Sequence, residues 1–241
     1  GRSRGENRAH PSGGDAAHKL SGLASLGFGI TAKGSDIFTE GIADIDRDDI
    51  EYALEMGYAV KPLAIAKRSG DELELRVHPT LIEKTHLLAN VNGIYNAIFV
   101  KGDLVGENLF YGQGAGALPT SSAVVSDIIA IADNNGISCC GGRKTPEKHM
   151  PIREDVTCIK KMDDIRTRYY IKFLALDKPG VLAKISGILA KHNISIASVT
   201  QKERRAVGAV PIVMMTHDSL EKDMSRALNE IRALNVISKK L

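Results

Sequence analysis

One stretch, Gly106 to Ala132 (GENLFYGQGAGALPTSSAVVSDIIAIA), constrains the fold more than any other, because its periodicity changes twice. Leu109, Phe110 and Tyr111 close an apolar and aromatic run that reads as a strand, and Gly112, Gly114 and Gly116 then open a loop of unusual backbone freedom. Thr120, Ser121 and Ser122 stand where an N-cap belongs, after Pro119, and Val124, Val125, Ile128, Ile129 and Ile131 recur near helical spacing. Strand, glycine loop and helix start together let backbone N–H groups come close to an anionic or planar ligand. The G-x-G-x-G run lacks both the G-x-x-G tail of dinucleotide folds and the lysine of a phosphate loop, so by itself it reads first as a tight turn between packed elements.

A chain of 241 residues can hold one large domain or two ordinary ones. With 43% hydrophobic and 25% charged residues it belongs among soluble globular proteins. A formal net charge of +3, 5% aromatic residues and no Trp disfavour a nucleic-acid partner, since there is little to neutralise phosphates or stack on bases. Three Cys, two of them adjacent at Cys139 and Cys140, make neither a disulfide framework nor a zinc set, so no metal and a reducing cytoplasm are expected. No apolar run reaches membrane-spanning length, and residues 1–14 lack the apolar core of a signal peptide.

Residues 1–14 (GRSRGENRAHPSGG) are basic and glycine-rich and read as a disordered or non-homologous tail. From Asp15 a helix is expected, with Ala16, Ala17, Leu20, Leu23, Ala24 and Leu26 on one face and Gly27 and Gly29 at its end. Asp15 and Lys19 lie four apart on it, which is also the order of an ordinary solvated ion pair. A helix over 49–56 ends at Gly57, and strands follow at 58–67 and 72–77, with Arg68 to Asp71 as the hairpin loop. Pro62 marks the first as an edge or bulged strand, and His78-Pro79-Thr80 is expected to leave the second, with His78 structural. Two more strands, 94–101 and 104–111, complete a mixed sheet that helices at 15–26, 49–56 and 121–132 would cover on one face.

Residues 133–167 mix Gly, Pro, Asn and charges of both signs and read as an interdomain linker, with a short strand near Cys158. Beyond them strand 168–176, helix 181–192, strands 194–203 and 209–217, helix 219–234 and strand 236–240 give βαββαβ, a ferredoxin-like order. Asp177-Lys178-Pro179-Gly180 makes the first turn, so N–H groups at the helix start would face a bound carboxylate. The fold class expected is α+β: a mixed-sheet domain over 15–132 and a smaller unit over 168–241.

Two resemblances join these readings. EGI at 40–42, LAIAK at 63–67, ELRVHPTLI at 74–82, ANVNGIYNAIFV at 89–100 and FYGQGAGALPTSSAVVSDI at 110–128 resemble the catalytic and dimerisation portion of homoserine dehydrogenase. GDAAHKL at 14–20 is similar to the end of that family's signature. The resemblance implies that Lys19 is the catalytic lysine and Asp15 its acidic partner in the substrate pocket, with homoserine or aspartate semialdehyde as substrate. It also implies NADP or NAD as cofactor, with Gly114 and Gly116 beside the nicotinamide. Residues 168–241 resemble an ACT domain, a small amino-acid-sensing module, with DKPGV at 177–181 as its ligand turn. Asp177, Gly180 and Asn193 are then the effector positions, and threonine is the effector implied.

The family begins with a Rossmann domain and its glycine fingerprint, and neither occurs in this sequence. Arg4 stands where the signature has a substrate-binding glutamate, and residues 1–13 read as a foreign start, such as a shifted reading frame or a truncated gene would produce. The chain alone is therefore expected to be inactive as an NAD(P)-dependent oxidoreductase. The alternative function is an amino-acid-sensing fragment that binds threonine without catalysis. Exposed sheet surface in both units makes a homodimer the expected state.

Overall fold

The computed structural model describes residues 12–134, 158–201 and 209–237. Helix α1 (Gly14–Phe28) follows Gly13, whose φ of 79° suits glycine and where an added Cβ would meet Thr39 Cγ2 at 3.0 Å. It stops at Gly29, also left-handed, whose N–H donates to the Ser25 carbonyl. Its small side chains Ala17, Leu20 and Ala24 are buried, whereas Leu23 and Leu26 are exposed. Strand β1 (Phe38–Thr39) leads to α2 (Arg47–Glu55), which starts on a capping box: Asp46 accepts from the Asp49 N–H, and the Asp49 carboxylate accepts from the Asp46 N–H.

Strands β2 (Tyr58–Ser69) and β3 (Glu72–Glu83) form a long antiparallel hairpin. β2 is an edge strand, as Pro62 requires. β3 does not end at Val77 as expected: His78, Pro79 and Thr80 continue it, because Pro79 stands opposite Pro62 and the missing donors share one rung of the ladder. β1 pairs with β3 in parallel on the other side. Leu73, Leu75 and Val77 point to the face under α1 and form one core with Ala17, Leu20 and Ala24.

The expected single mixed sheet is two. Among the described residues β4 (Tyr95–Gly102) and β5 (Gly106–Gln113) pair only with each other, as a separate ribbon turning at Asp103 to Val105. Helix α3 (Ala117–Asn134) begins earlier than expected, so Thr120, Ser121 and Ser122 lie inside its first turns rather than capping it, and Ser121 Oγ donates back to the Ala117 carbonyl at 2.7 Å. Pro119 falls in the first turn, where no intrahelical donor is lost. Nor does α3 cover the sheet: Val124, Val125, Ile128, Ile129 and Ile131 are each more than half exposed.

Of the stretch 133–167 expected as a linker, residues 135–157 lie outside the described residues, as do Cys139 and Cys140. Residues 158–167 are structured. β6 (Cys158–Ile159) adds to β3 in parallel, a single 3-10 turn spans Met162–Asp164, and β7 (Arg166–Thr167) pairs with β11 (Ser219–Leu220). The second unit follows as β8 (Tyr170–Leu176), α4 (Val181–Lys191), β9 (Ile196–Gln201), β10 (Ala209–Thr216) and α5 (Glu221–Arg232). Its antiparallel sheet runs β8-β10-β9, and Ile237 bridges Ala175 on the outer side of β8, the described start of the expected last strand. Phe173, Ile185, Leu189, Met214, Met224 and Ile231 fill the space between sheet and helices. The ferredoxin-like order is the one expected.

Candidate functional site

Asp15 and Lys19 stand one turn apart on α1, on a different side from the buried stripe, and Lys19 Nζ lies 2.8 Å from Asp15 Oδ2. Packing of Ala17, Leu20 and Ala24 on β3 fixes the helix, so the pair is carried by a rigid element. The Lys19 side chain is 65% exposed and that of Asp15 40%. The ammonium can donate a proton while the carboxylate holds its position.

The glycine loop joins β5 to α3. Gly114 donates its N–H to the Ile94 carbonyl at 2.9 Å, and a Cβ there would fall 1.7 Å from Asn96 Nδ2, so close packing against Asn96 is what excludes a side chain. Gly116 has φ 131° and opens on a groove of about 660 Å³ at the start of α3, lined by Ala117, Thr120, Ser121, Val124 and Val125. This groove offers backbone and small side chains to a flat ring, but among the described residues it holds no charged group to grip a phosphate. Lys19 does not line it.

In the second unit, Gly180 (φ 86°) begins α4 and Asn193 (φ 58°) ends it; Asn193 is the only described residue other than glycine with positive φ. The Ile194 N–H donates to the Leu189 carbonyl at 2.9 Å, which closes the helix around Asn193. Asp177 and Gly180 share the first turn, whereas the helix separates them from Asn193 by roughly 17 Å at 1.5 Å per residue. One chain does not bring these positions together. Asp177, Gly180 and Asn193 are exposed.

Sequence reasoning missed the cleft between the two units, a hollow of about 980 Å³. From the first unit come Glu40, Asp49, Arg76 and His78, and from the second Arg166, Tyr169, Tyr170 and Glu221. Lys172 Nζ reaches Asp46 Oδ2 at 2.5 Å and Asp49 Oδ1 at 2.9 Å, and the Tyr170 hydroxyl donates to Asp49 Oδ1 at 2.8 Å. Burial and then the Asp49 hydrogen bond push the Tyr170 phenol far up, so it stays a donor. The Tyr169 hydroxyl likewise donates to Glu221 Oε2 at 2.7 Å. The one signal in the sequence is the alternation Glu74, Arg76, His78 on β3, polar residues at every second position opposite the apolar face. Among the described residues no group of three His, Cys, Asp or Glu is placed to hold a metal, and no helix is long and apolar enough to cross a membrane.

A family model described as homoserine dehydrogenase matches residues 8–129, and one described as ACT domain matches 169–236. The homoserine dehydrogenase of Neisseria gonorrhoeae is 42% identical over 228 residues, covering 94% of this chain and 52% of that protein. That of Helicobacter pylori is 46% identical over 223 residues, covering 92% and 51%. The crystal structure of a homoserine dehydrogenase from Thiobacillus denitrificans superposes with a TM-score of 0.84 at 41% identity, covering 98% of this chain and 53% of that one. The chain thus spans about half the length of the relatives it matches.

Proposed function

Since the chain belongs to the homoserine dehydrogenase family, we propose that it serves the NADP- or NAD-dependent reduction of aspartate semialdehyde to homoserine, as a cytoplasmic homodimer whose ACT unit binds threonine. The observation that carries this reading is the Asp15–Lys19 pair, one turn apart and 2.8 Å in contact on a helix anchored to the sheet. When bound, the nicotinamide supplies the hydride. Lys19 then donates a proton to the carbonyl oxygen as it becomes an alkoxide and stabilises the charge that develops there. Asp15 orients the ammonium from one turn below and is placed to accept the amino group of the substrate. Gly116, with Gly114 behind it, would lie beside the nicotinamide at the start of α3, in a groove that Thr120, Ser121, Val124 and Val125 also line. In the ACT unit, Asp177 and Gly180 receive the effector at the start of α4, and Asn193 of the second copy completes that site.

The test is oxidation of NADPH with aspartate semialdehyde by the purified chain and by Lys19→Ala. Because Lys19 is exposed, the variant keeps its fold, and any turnover the chain shows is expected to fall by about 10²- to 10⁴-fold in it, the range of a lost general acid. A second reading, an amino-acid-sensing unit without catalysis, is favoured by the 65% exposure of the Lys19 side chain. Threonine binding by a chain with no turnover at all would establish it over the first.

A further inference from the structure

Arg76 lies on the face of β3 opposite the apolar core and lines the cleft between the units, yet it is only 8% exposed. Its Nε and Nη1 have no hydrogen-bond partner among the described residues, and its nearest carboxylate oxygen, Glu74 Oε2, stands 3.9 Å from Nη2. His78 Nε2, the next polar position along the strand, is also buried without a partner. Glu74 Oε2 is buried without a hydrogen-bond partner too, so the two charges offset each other across 3.9 Å, while the idle guanidinium donors remain costly and open to an anion. Six acidic residues line the same hollow, among them Glu40 and Glu221. The Glu40 N–H donates to the Val77 carbonyl at 2.8 Å, which places Glu40 directly beyond the β1 pairing with Arg76 and Val77. Glu221 is held from the other unit by the Tyr169 hydroxyl and by Ser225 Oγ at 3.0 Å. Partial burial, then the charges of Glu221 and Asp44, hold the Glu40 carboxyl above its ordinary value, the response of an acid whose neighbours are also acids. His78 and Tyr169 each feel both Arg76 and Glu221, so cation and carboxylates share one electrostatic neighbourhood.

We propose that this cleft binds a small α-amino acid, its carboxylate on Arg76 and its ammonium between Glu40 and Glu221, bridging the sheet and the regulatory unit. A simple anion would meet the two carboxylates, and a simple amine would meet Arg76; a ligand with both charges a few bonds apart satisfies all three. The site is separate from the Asp177 turn, which lies beyond the other end of β8, roughly 23 Å from Tyr170 at 3.3 Å per residue. It does not depend on the reading of Lys19, nor on threonine binding at Asp177.

The test is calorimetric titration of the Asp177→Ala chain with glycine, L-alanine, L-homoserine and L-threonine in turn, and with acetate and methylammonium as one-ended controls. At least one amino acid is expected to bind one per chain, at least tenfold tighter than either control. Arg76→Met is expected to weaken that binding by tenfold or more and to lower the thermal midpoint of the unliganded chain, since the buried Glu74 carboxylate loses the cation beside it. Glu40→Gln keeps the size and shape of the side chain and carries the test should Arg76→Met fail to fold; it is expected to weaken binding at least threefold. The proposal is overturned if no amino acid binds, if acetate binds equally well, or if Glu40→Gln and every folded Arg76 variant leave the affinity unchanged. Loss of turnover in Lys19→Ala and loss of threonine binding at the Asp177 turn are independent of all these outcomes.

Discussion

At His78 the imidazole sits between two units, with Nδ1 2.8 Å from the Pro79 carbonyl and 3.2 Å from Thr80 Oγ1. Burial, reinforced by the Arg76 charge, pushes it below its ordinary value of 6.5. The unfolded chain therefore takes up this proton before the folded one does. The stability that follows is fully present above pH 6.5 and is lost as pH falls from there toward the folded value. Urea unfolding between pH 7.5 and 5.5 is expected to show that decline, and His78→Gln to flatten it. Residues differ sharply in how far their surroundings could be read from the sequence. The Asp15–Lys19 pairing was legible because both partners lie within one helical turn. The setting of Arg76 and His78 was not, because Glu40, Tyr169 and Glu221 reach them only after the whole chain has folded.

Helix α4 shows how an element divides its tasks between its ends. Its start carries the exposed Asp177 to Gly180 turn and its end the left-handed Asn193. Asp177→Ala is expected to weaken threonine binding about tenfold with α4 intact, because Val181, Ile185 and Leu189 still bury its other face. Unchanged affinity in calorimetry would remove the effector from this turn. Elements with strong local periodicity, α1 and the βαββαβ series, were readable because their core stripe is written every third or fourth residue or every second one. The errors fall where tertiary pairing decides. β3 runs on through Pro79 because Pro62 faces it, no strand among the described residues joins the edges of β4 and β5, and the hydroxyl cluster at Thr120 to Ser122 lies inside α3 because that helix begins at Ala117.

Across the whole molecule the two units are fastened by Lys172, whose side chain is 18% exposed and which spans from β8 to the capping box of α2. Burial opposes the Lys172 charge, but its hydrogen bonds to Asp46 and Asp49 outweigh that and raise it; the same bond to Lys172 holds the Asp46 carboxyl below its ordinary value of 3.8. The Asp46 contribution is thus present above pH 3.8 and lost as pH falls through its folded value. Lys172→Met is expected to cost about 1–2 kcal/mol at neutral pH, a modest figure because Asp46 is more than half exposed, and to blunt the acid limb of the unfolding curve. Chemical denaturation at pH 7 and at pH 3 measures both. A further feature joins the units through the backbone: β6 adds directly to β3, the strand whose apolar face supports the helix of Lys19 and whose polar face looks into the cleft. The odd and even positions of that single strand answer to different masters. A chimera that grafted another sensor onto this sheet would have to inherit Glu74, Arg76 and His78 along with it, so the halves of this protein are not interchangeable parts but must vary in step.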